Sequence, residues 1–277
     1  MNLPKTETIT VEKSGIALFI TLNRPEARNA MSLLMVNELM ATFESIKDDS
    51  GVRAVVLRGA GGHFCAGGDI KDMGAAHVAL AEQSKPLHPE INSKDPFYQL
   101  NRQFGRLITA VNNAPQVVIA ILEGAVLGGG FGLACVSDIA IASASAKFGL
   151  PESGLGIPPA QIAPFVVARI GLTQARRLAL LGVRFDGNEA KTLGIVHYVC
   201  ADSEAIEAQL NEVLAQVKRC APNANRVTKE IILAVGSKPL EKLLDDAALQ
   251  FSRAVQGSEG VEGTTAFIEK RDPNWFA

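Results

Sequence analysis

The sequence predicts an α/β fold followed by a helical C-terminal region. Apolar strand candidates recur along the first half of the chain, helical periodicity separates them, and helical patterning dominates from about Leu172 onward. The chain has 277 residues, 47% of them hydrophobic and 20% charged, which is enough to bury a sizeable core. Its formal net charge of −2 gives no reason to expect a nucleic acid or a membrane surface as partner.

Each element follows from a local signal. The strands Thr8–Glu12 and Ala17–Leu22 are expected to form a hairpin around Ser14 and Gly15. Ser32 caps a helix whose apolar residues recur at helical spacing, namely Met35, Leu39, Phe43 and Ile46. Further strands are predicted at Arg53–Arg58, Gln116–Leu122 and Ile139–Ala142. The later helices are predicted at Gln174–Leu181, Ser203–Lys218, Pro222–Ala234, Lys238–Ala254 and Val261–Lys270.

Several classes of site are not expected. Cys65, Cys135, Cys200 and Cys220 form no Cys-x-x-Cys pair, so we expect reduced, mostly buried thiols. The four histidines (His63, His77, His88 and His197) lack metal-ligand spacing, and no metal is predicted. The first residues do not resemble a signal peptide and no apolar window is long enough to span a membrane, so a cytoplasmic location is expected.

Two glycine-rich segments each follow a predicted strand. Gly59–Ile70 can present bare backbone N–H groups but lacks the endings of phosphate-binding and dinucleotide-binding loops. Gly124–Ala134 places a glycine run at the start of an apolar helix, where free N–H groups and the helix dipole stabilise negative charge. Taken singly, the first could be a tight turn and the second could serve close helix packing.

A third segment, Phe148–Pro159, carries one carboxylate, Glu152, among apolar residues, glycines and prolines. Such surroundings favour the neutral acid and suit a proton carrier, although a glutamate on a surface loop would look the same in isolation. The segment Lys71–Asp95 is irregular and is either a lid or a mobile insertion.

Together these segments resemble the crotonase, or enoyl-CoA hydratase/isomerase, family from about Thr6 to Trp275. The motif Phe-x-Ala-Gly-x-Asp-Ile is met by Phe64–Ile70, the Gly-Gly-Gly helix start by Gly128–Gly130, and the Phe-Gly-x-Pro-Glu loop by Phe148–Glu152. The ending Glu-Gly…Phe-x-Glu-Lys-Arg is also present, at Glu262, Gly263, Phe267, Glu269, Lys270 and Arg271. The resemblance implies a spiral of ββα units over residues 1–200 and a helical trimerisation region over residues 201–277 that completes the CoA site.

The resemblance also implies residue roles. The N–H groups of Gly68 and Gly129 would form an oxyanion hole for the thioester oxygen, with Glu152 moving protons. Ala27, Arg28, Ala66, Asp69, Ile70, Phe251, Phe267 and Lys270 would contact CoA, some of them from a neighbouring subunit of a homotrimer or a homohexamer. Leu127, Phe131, Pro151 and Ile157 would shape the acyl pocket. No cofactor beyond the CoA moiety of the substrate is implied.

One departure from the family pattern bears on the reaction. Hydratases of this family carry two catalytic glutamates, and the first of these positions is Gly132 here. The loop from Gly156 to Phe165 is similar to the branch that acts on branched acyl-CoAs, such as isohexenylglutaconyl-CoA hydratase. The expected activity is therefore a lyase that adds water to an α,β-unsaturated, branched acyl-CoA in fatty acid or terpenoid catabolism, and a carboxylate carried by the substrate could replace the missing group.

Two alternatives stay open at this point. A Δ3,Δ2-enoyl-CoA isomerase needs only one carboxylate, which Glu152 could supply. A non-catalytic acyl-CoA-binding protein would also retain the glycine loops, and the loss at Gly132 is its only support. Glu123 is a candidate second acid, but its position at a strand end favours a structural role.

Overall fold

The computed structural model describes residues 3–69, 71, 72, 74, 78 and 93–276. Its strands are β1 (Ile9–Ser14), β2 (Ala17–Leu22), β3 (Ala54–Gly59), β4 (Val117–Leu122), β5 (Ala125–Leu127), β6 (Ile139–Ser143), β7 (Lys147–Gly149), β8 (Arg184–Phe185) and β9 (Tyr198–Cys200). A six-stranded sheet has the order β1-β2-β3-β4-β6-β9, and a three-stranded sheet has the order β5-β7-β8. In the larger sheet only β1 and β2 are antiparallel, which confirms the predicted hairpin and the α/β class.

The helices connect and cover these strands. They are α1 (Leu33–Ile46), α2 (Pro96–Asn112), α3 (Gly129–Val136), α4 (Ala163–Leu181), α5 (Gly187–Thr192), α6 (Ser203–Arg219), α7 (Pro222–Leu233), α8 (Leu240–Gln256) and α9 (Ser258–Glu269). The side chain of Ser32 accepts a hydrogen bond from Met35 N at 3.2 Å, as the predicted cap requires. None of the described helices is long and apolar enough to cross a membrane.

Apolar side chains cover both faces of the large sheet. On β3, Val55 and Leu57 belong to one buried cluster together with residues of α1 and α2, whereas Ala54 and Val56 belong to a second cluster. The second cluster is closed by four residues of α6, namely Ile206, Leu210, Val213 and Val217. A strand buried on both faces reads as a continuous apolar run, which is the pattern of Ala54–Leu57.

Arg53 connects the start of β3 to the C-terminal region. Its guanidinium donates hydrogen bonds to the backbone oxygens of Val217, Lys218 and Cys220 at the end of α6, and to that of Trp275. A cation at the C-terminus of a helix also interacts favourably with the helix dipole. Arg53 therefore fixes the helical region on the sheet.

Candidate active site

The loop after β3 exposes one backbone N–H group. Met31 N donates to Gly67 O at 2.8 Å, and Asp69 N donates to Met31 O at 3.1 Å, so the hydrogen bonds pass on either side of Gly68. The N–H of Gly68 has no partner among the described residues, and Gly68 lies at the surface. Gly67 adopts a φ of +105°, which L side chains rarely tolerate, so the turn requires glycine there.

Helix α3 begins at the second glycine run. Gly128 N donates to Gly149 O at 3.1 Å, and Gly129 is the first helical residue. The N–H of Gly129 has no intrahelical acceptor because it lies in the first turn, and no other acceptor occurs in the described structure. Gly130 packs against the buried Cys65, since a Cβ at position 130 would lie 2.6 Å from Cys65 Cβ. Burial raises the pKa of the Cys65 thiol to about 11, so this group packs as a neutral side chain.

Glu152 begins a short 3-10 helix, Glu152–Leu155, directly after Pro151. Its Oε2 atom is buried and has no hydrogen-bond partner among the described residues. Burial raises the pKa of this carboxyl above its ordinary value. A half-buried acid whose pKa is raised by burial holds its proton more readily than an exposed one, which suits a general acid or base.

The three loops meet at Gly128. A Cβ built on this residue would lie 2.7 Å from Glu152 Oε1 and 3.4 Å from Gly67 Cα. The carboxylate and the two loops with free N–H groups are therefore neighbours, which is the geometry expected from the sequence. The backbone of Gly128 has φ +50° and ψ −116°, so neither its conformation nor its surroundings admit a side chain.

The surroundings of Gly132 leave no space for a second carboxylate. A Cβ at this position would lie 2.4 Å from Ile162 Cγ2 and 2.9 Å from Ile108 Cδ1. Both isoleucines are buried: Ile162 is 3% exposed and Ile108 is 0% exposed. The glutamate is therefore replaced by close apolar packing and not by an empty volume.

Glu123, the other candidate acid, points elsewhere. Its carboxylate accepts a hydrogen bond from Ser203 Oγ at 3.3 Å, at the start of α6, and its backbone oxygen accepts one from Phe64 N at 2.8 Å. These contacts support the expected structural role. In the described chain, no group of three or more His, Cys, Asp or Glu side chains is placed to bind a metal ion.

Sequence reasoning did not find the residues that α2 and the start of α4 bring to the site. The ring of Phe104 lies over Gly129, 3.2 Å from where its Cβ would be, and Ile108 and Ile162 enclose Gly132. The sequence does carry a start signal for α2: Asp95 caps the helix by accepting a hydrogen bond from Tyr98 N at 3.0 Å, and Pro96 follows at the first helical position.

The predicted CoA residues form two groups. In the first, Ala66 N donates to Arg28 O at 3.0 Å, next to Ala27. Asp69 forms an ion pair with Arg24 at 2.7 Å. Burial opposes ionisation of Asp69, but the Lys71 N–H and Arg24 outweigh it and lower its pKa. The predicted Ile70 lies outside the described residues, as does most of the Lys71–Asp95 segment.

The second group lies on the C-terminal helices. Phe251 on α8 and Phe267 on α9 are 70% and 85% exposed, and Lys270 ends α9 in the left-handed conformation. No hydrogen bond or ion pair in the described structure connects these residues to the glycine loops.

The residues expected in the acyl pocket differ in how exposed they are. Ile157 is 38% exposed and Pro151 is half-buried beside Glu152. Leu127 ends β5 next to Gly128. Phe131, in contrast, is fully buried and packs edge-on against Phe148 and Phe185, with ring centroids 6.4 and 6.1 Å away. Its ring belongs to the core, which differs from the expectation that it lines the pocket.

The described structure also contains a cavity of about 460 Å³ at the opposite ends of the parallel strands. Its lining includes Arg53, Gln116 and Arg226. The glycine loops follow the carboxyl ends of β3 and β4, where α/β sheets bind their ligands. We therefore locate the candidate site at the glycine loops.

Comparison with known proteins identifies the family. The family described as enoyl-CoA hydratase/isomerase matches residues 12–277. The chain belongs to this family. The family is enzymatic, and its relatives include enoyl-CoA hydratases. A mevalonyl-coenzyme A hydratase of Beauveria bassiana, SIDH, is 30% identical over 267 residues, which cover 93% of this chain and 90% of SIDH.

Two solved structures are more similar. Pseudomonas aeruginosa AtuE is 59% identical, with a TM-score of 0.91 over 98% of this chain and 100% of AtuE. An enoyl-CoA hydratase/isomerase from Marinobacter aquaeolei is 57% identical, with a TM-score of 0.91 over 98% of this chain and 99% of that one. The family and its fold are those predicted from the sequence, and they make an acyl-CoA the consistent substrate.

Proposed function

We propose that the chain is an enoyl-CoA hydratase that adds water to an α,β-unsaturated, branched acyl-CoA such as isohexenylglutaconyl-CoA. The observation that carries the proposal is the position of Glu152, with one carboxylate oxygen against Gly128 and the other buried without a described partner. A carboxylate held in this way beside two free N–H groups can transfer protons to and from a bound thioester.

The mechanism uses one carboxylate for both proton transfers. The Gly68 and Gly129 N–H groups donate hydrogen bonds to the thioester oxygen. Ionised Glu152 accepts a proton from water while the water oxygen bonds to C3, and the electrons of the C2–C3 double bond move to the thioester oxygen. Protonated Glu152 then returns the proton to C2. Loss of one oxyanion-hole donor typically costs about 2.7–4 kcal/mol of transition-state stabilisation.

The CoA moiety is proposed to bind along Ala27, Arg28, Ala66, Asp69 and Ile70. Phe251 and Phe267 are far more exposed than aromatic side chains usually are, and we propose that they complete, together with Lys270, the CoA site of a neighbouring subunit in a trimer or hexamer. A branched acyl group is supported by the loop after Glu152 and by the relative SIDH, whose name identifies it as a mevalonyl-coenzyme A hydratase.

The packing around Gly132 also favours a second candidate, a Δ3,Δ2-enoyl-CoA isomerase. Such an enzyme removes a proton from C2 and returns it to C4, so one carboxylate suffices. The two activities differ in mass balance, because hydration adds a water molecule and isomerisation adds nothing.

Mass spectrometry in heavy-oxygen water separates the two. Linear and branched α,β- and β,γ-unsaturated acyl-CoAs would each be incubated with the protein. We expect the branched α,β-unsaturated compounds to gain one labelled water. A shift of the double bond without a change of mass would support the isomerase, whereas tight binding with no turnover of any compound would contradict both activities.

A further inference from the structure

A polar cluster lies beside Ile108 and Ile162, the two isoleucines that enclose Gly132. Arg102 Nη1 donates to Gln161 Oε1 at 3.2 Å, and Gln161 Nε2 donates to Asn101 Oδ1 at 2.8 Å. Arg102 and Gln161 are half-buried. This cluster joins α2 to the loop before α4, the two segments that enclose Gly132.

The cluster occupies the space beside Gly105 on α2. A Cβ at Gly105 would lie 1.9 Å from Gln161 Oε1 and 2.6 Å from Arg102 Nη1, so both groups occupy the space that a side chain would fill. Ile108 lies one helical turn further along and contacts the Gly132 position. Gln161 precedes Ile162, which contacts the same position. The guanidinium therefore lies beside the segments that enclose Gly132, on the helix whose Phe104 ring covers Gly129.

Arg102 differs from the other shielded arginines of the described chain in its partners. Arg24 pairs with Asp69, and Arg58 lies 3.5 Å from Glu207. Arg53 and Arg169 each bind several backbone oxygens. Arg102 forms no ion pair with a described residue, and its hydrogen-bond partner there is a neutral amide. Its fork of N–H donors matches a carboxylate in two-point geometry.

We propose that Arg102, oriented by Gln161, binds a carboxylate carried by the acyl group of the substrate. This inference rests on the proposed hydratase function and specifies its substrate class: branched enoyl-CoAs with a second, ionised carboxyl group near C3. The absence of a glutamate at position 132 fits this class, because an anionic acyl group meets one negative side chain there instead of two. The oriented guanidinium supplies the compensating charge.

The test compares two substrates that differ only in this charge. The probes are 3-methylglutaconyl-CoA and its amide, in which the distal carboxylate is a carboxamide of the same size. For Arg102→Met we expect kcat/KM for the carboxylate to fall by about 10- to 100-fold, the value of a charge-assisted hydrogen bond, with the amide changed less than about threefold. Arg102→Lys is expected to recover part of the loss for the carboxylate alone.

Arg106→Met is the matched control. Arg106 lies one turn further along α2, is exposed, and donates to Gln103 Oε1 at 3.1 Å. Removal of its charge therefore tests whether any positive charge on this helix attracts the anionic substrate. We expect it to leave the ratio of the two substrates unchanged.

Two outcomes would overturn the inference while the hydratase function stands: the parent protein hydrates both probes and Arg102→Met slows them equally, or Arg106→Met changes the ratio as much as Arg102→Met does. Failure of the parent protein to hydrate any branched or linear enoyl-CoA would instead contradict the proposed function itself.

Discussion

Gly132 shows how a single position restricts the chemistry. The isoleucines 108 and 162 occupy the volume that a side chain at this position would need. The loss of the family's first glutamate was readable from the sequence, but the isoleucines that replace it were not, because they come from α2 and from the loop before α4. Of the family's two catalytic glutamates, the sequence then keeps the second, Glu152.

Gly132→Ala is expected to lower the free energy of unfolding by about 1–3 kcal/mol, because the added methyl overpacks a closed core site. Gly132→Glu is expected to be less stable still and to gain no hydratase activity. Denaturant unfolding measures the first effect, and the double variant Gly132→Ala with Ile108→Val should recover part of the loss, because valine lacks the Cδ1 atom that lies 2.9 Å from the added methyl. A fully stable Gly132→Glu with faster turnover would contradict the packing described here.

The burial of Glu152 predicts a pH-dependent stability. Its folded pKa is raised above the unfolded value, so the protonated form stabilises the fold fully below the unfolded pKa, and this contribution is lost as pH rises through the folded pKa. Glu152→Gln is neutral throughout, so its Tm should exceed that of the parent at neutral pH. The difference should shrink towards pH about 4, near the ordinary pKa of a glutamate. A difference that grows as the pH falls would contradict the direction of the shift.

At the scale of elements, local signals predicted what is local. The strand Ala17–Leu22 has the predicted bounds, and α1 begins after the predicted Ser32 cap. Helix α4 was predicted only from Gln174, although it begins at Ala163. Gly171, with φ 76° and ψ 162°, interrupts the helix, and the sequence predicted only the part that follows this interruption. The four short strands β5, β7, β8 and β9 were not predicted, since two- or three-residue strands are defined by their partners.

The same reasoning applies to the candidate site. The glycine loops and Glu152 were predicted because their motif is continuous in sequence. Phe104, Ile108 and Gln161 were missed because their roles depend on how α2 packs against α3, a contact between segments far apart in the chain.

Arg53 gives a prediction for the C-terminal helices. Arg53→Met is expected to lower the free energy of unfolding by at least about 3 kcal/mol, because four backbone oxygens lose a charged donor. Arg58→Met is the control: this side chain is half-exposed over the Phe19 ring, 5.2 Å from its centroid, and should cost less than about 1 kcal/mol. Equal losses in urea unfolding would contradict the anchoring role of Arg53.

At the scale of the whole molecule, exposed apolar side chains concentrate on the last two helices. They include Leu240, Leu244, Leu249, Phe251, Val255, Val261, Phe267 and Ile268, each at least 45% exposed. Apolar side chains exposed on two helices that contact each other are typical of a surface that another chain covers, which supports the proposed assembly. The same assembly would bring Phe251 and Phe267 to the CoA site of a neighbour.

Sedimentation equilibrium tests the assembly. We expect a mass of three or six chains for the parent protein and a shift towards one chain for Leu249→Glu, because a buried charge opposes association. Gln256→Glu, an exposed polar change on the same helix, should leave the mass unchanged. A monomeric parent protein would contradict the proposal that a neighbouring subunit completes the CoA site.

The role of Glu152 is tested most directly by kcat/KM of Glu152→Gln on the best branched enoyl-CoA, with Glu123→Gln as the matched control on a carboxylate that contacts Ser203. We expect Glu152→Gln to lose at least about 100-fold and Glu123→Gln to stay within about threefold, since general acid–base catalysis contributes about 10²–10⁴-fold. Retention of nearly full turnover by Glu152→Gln would contradict hydration by a single carboxylate.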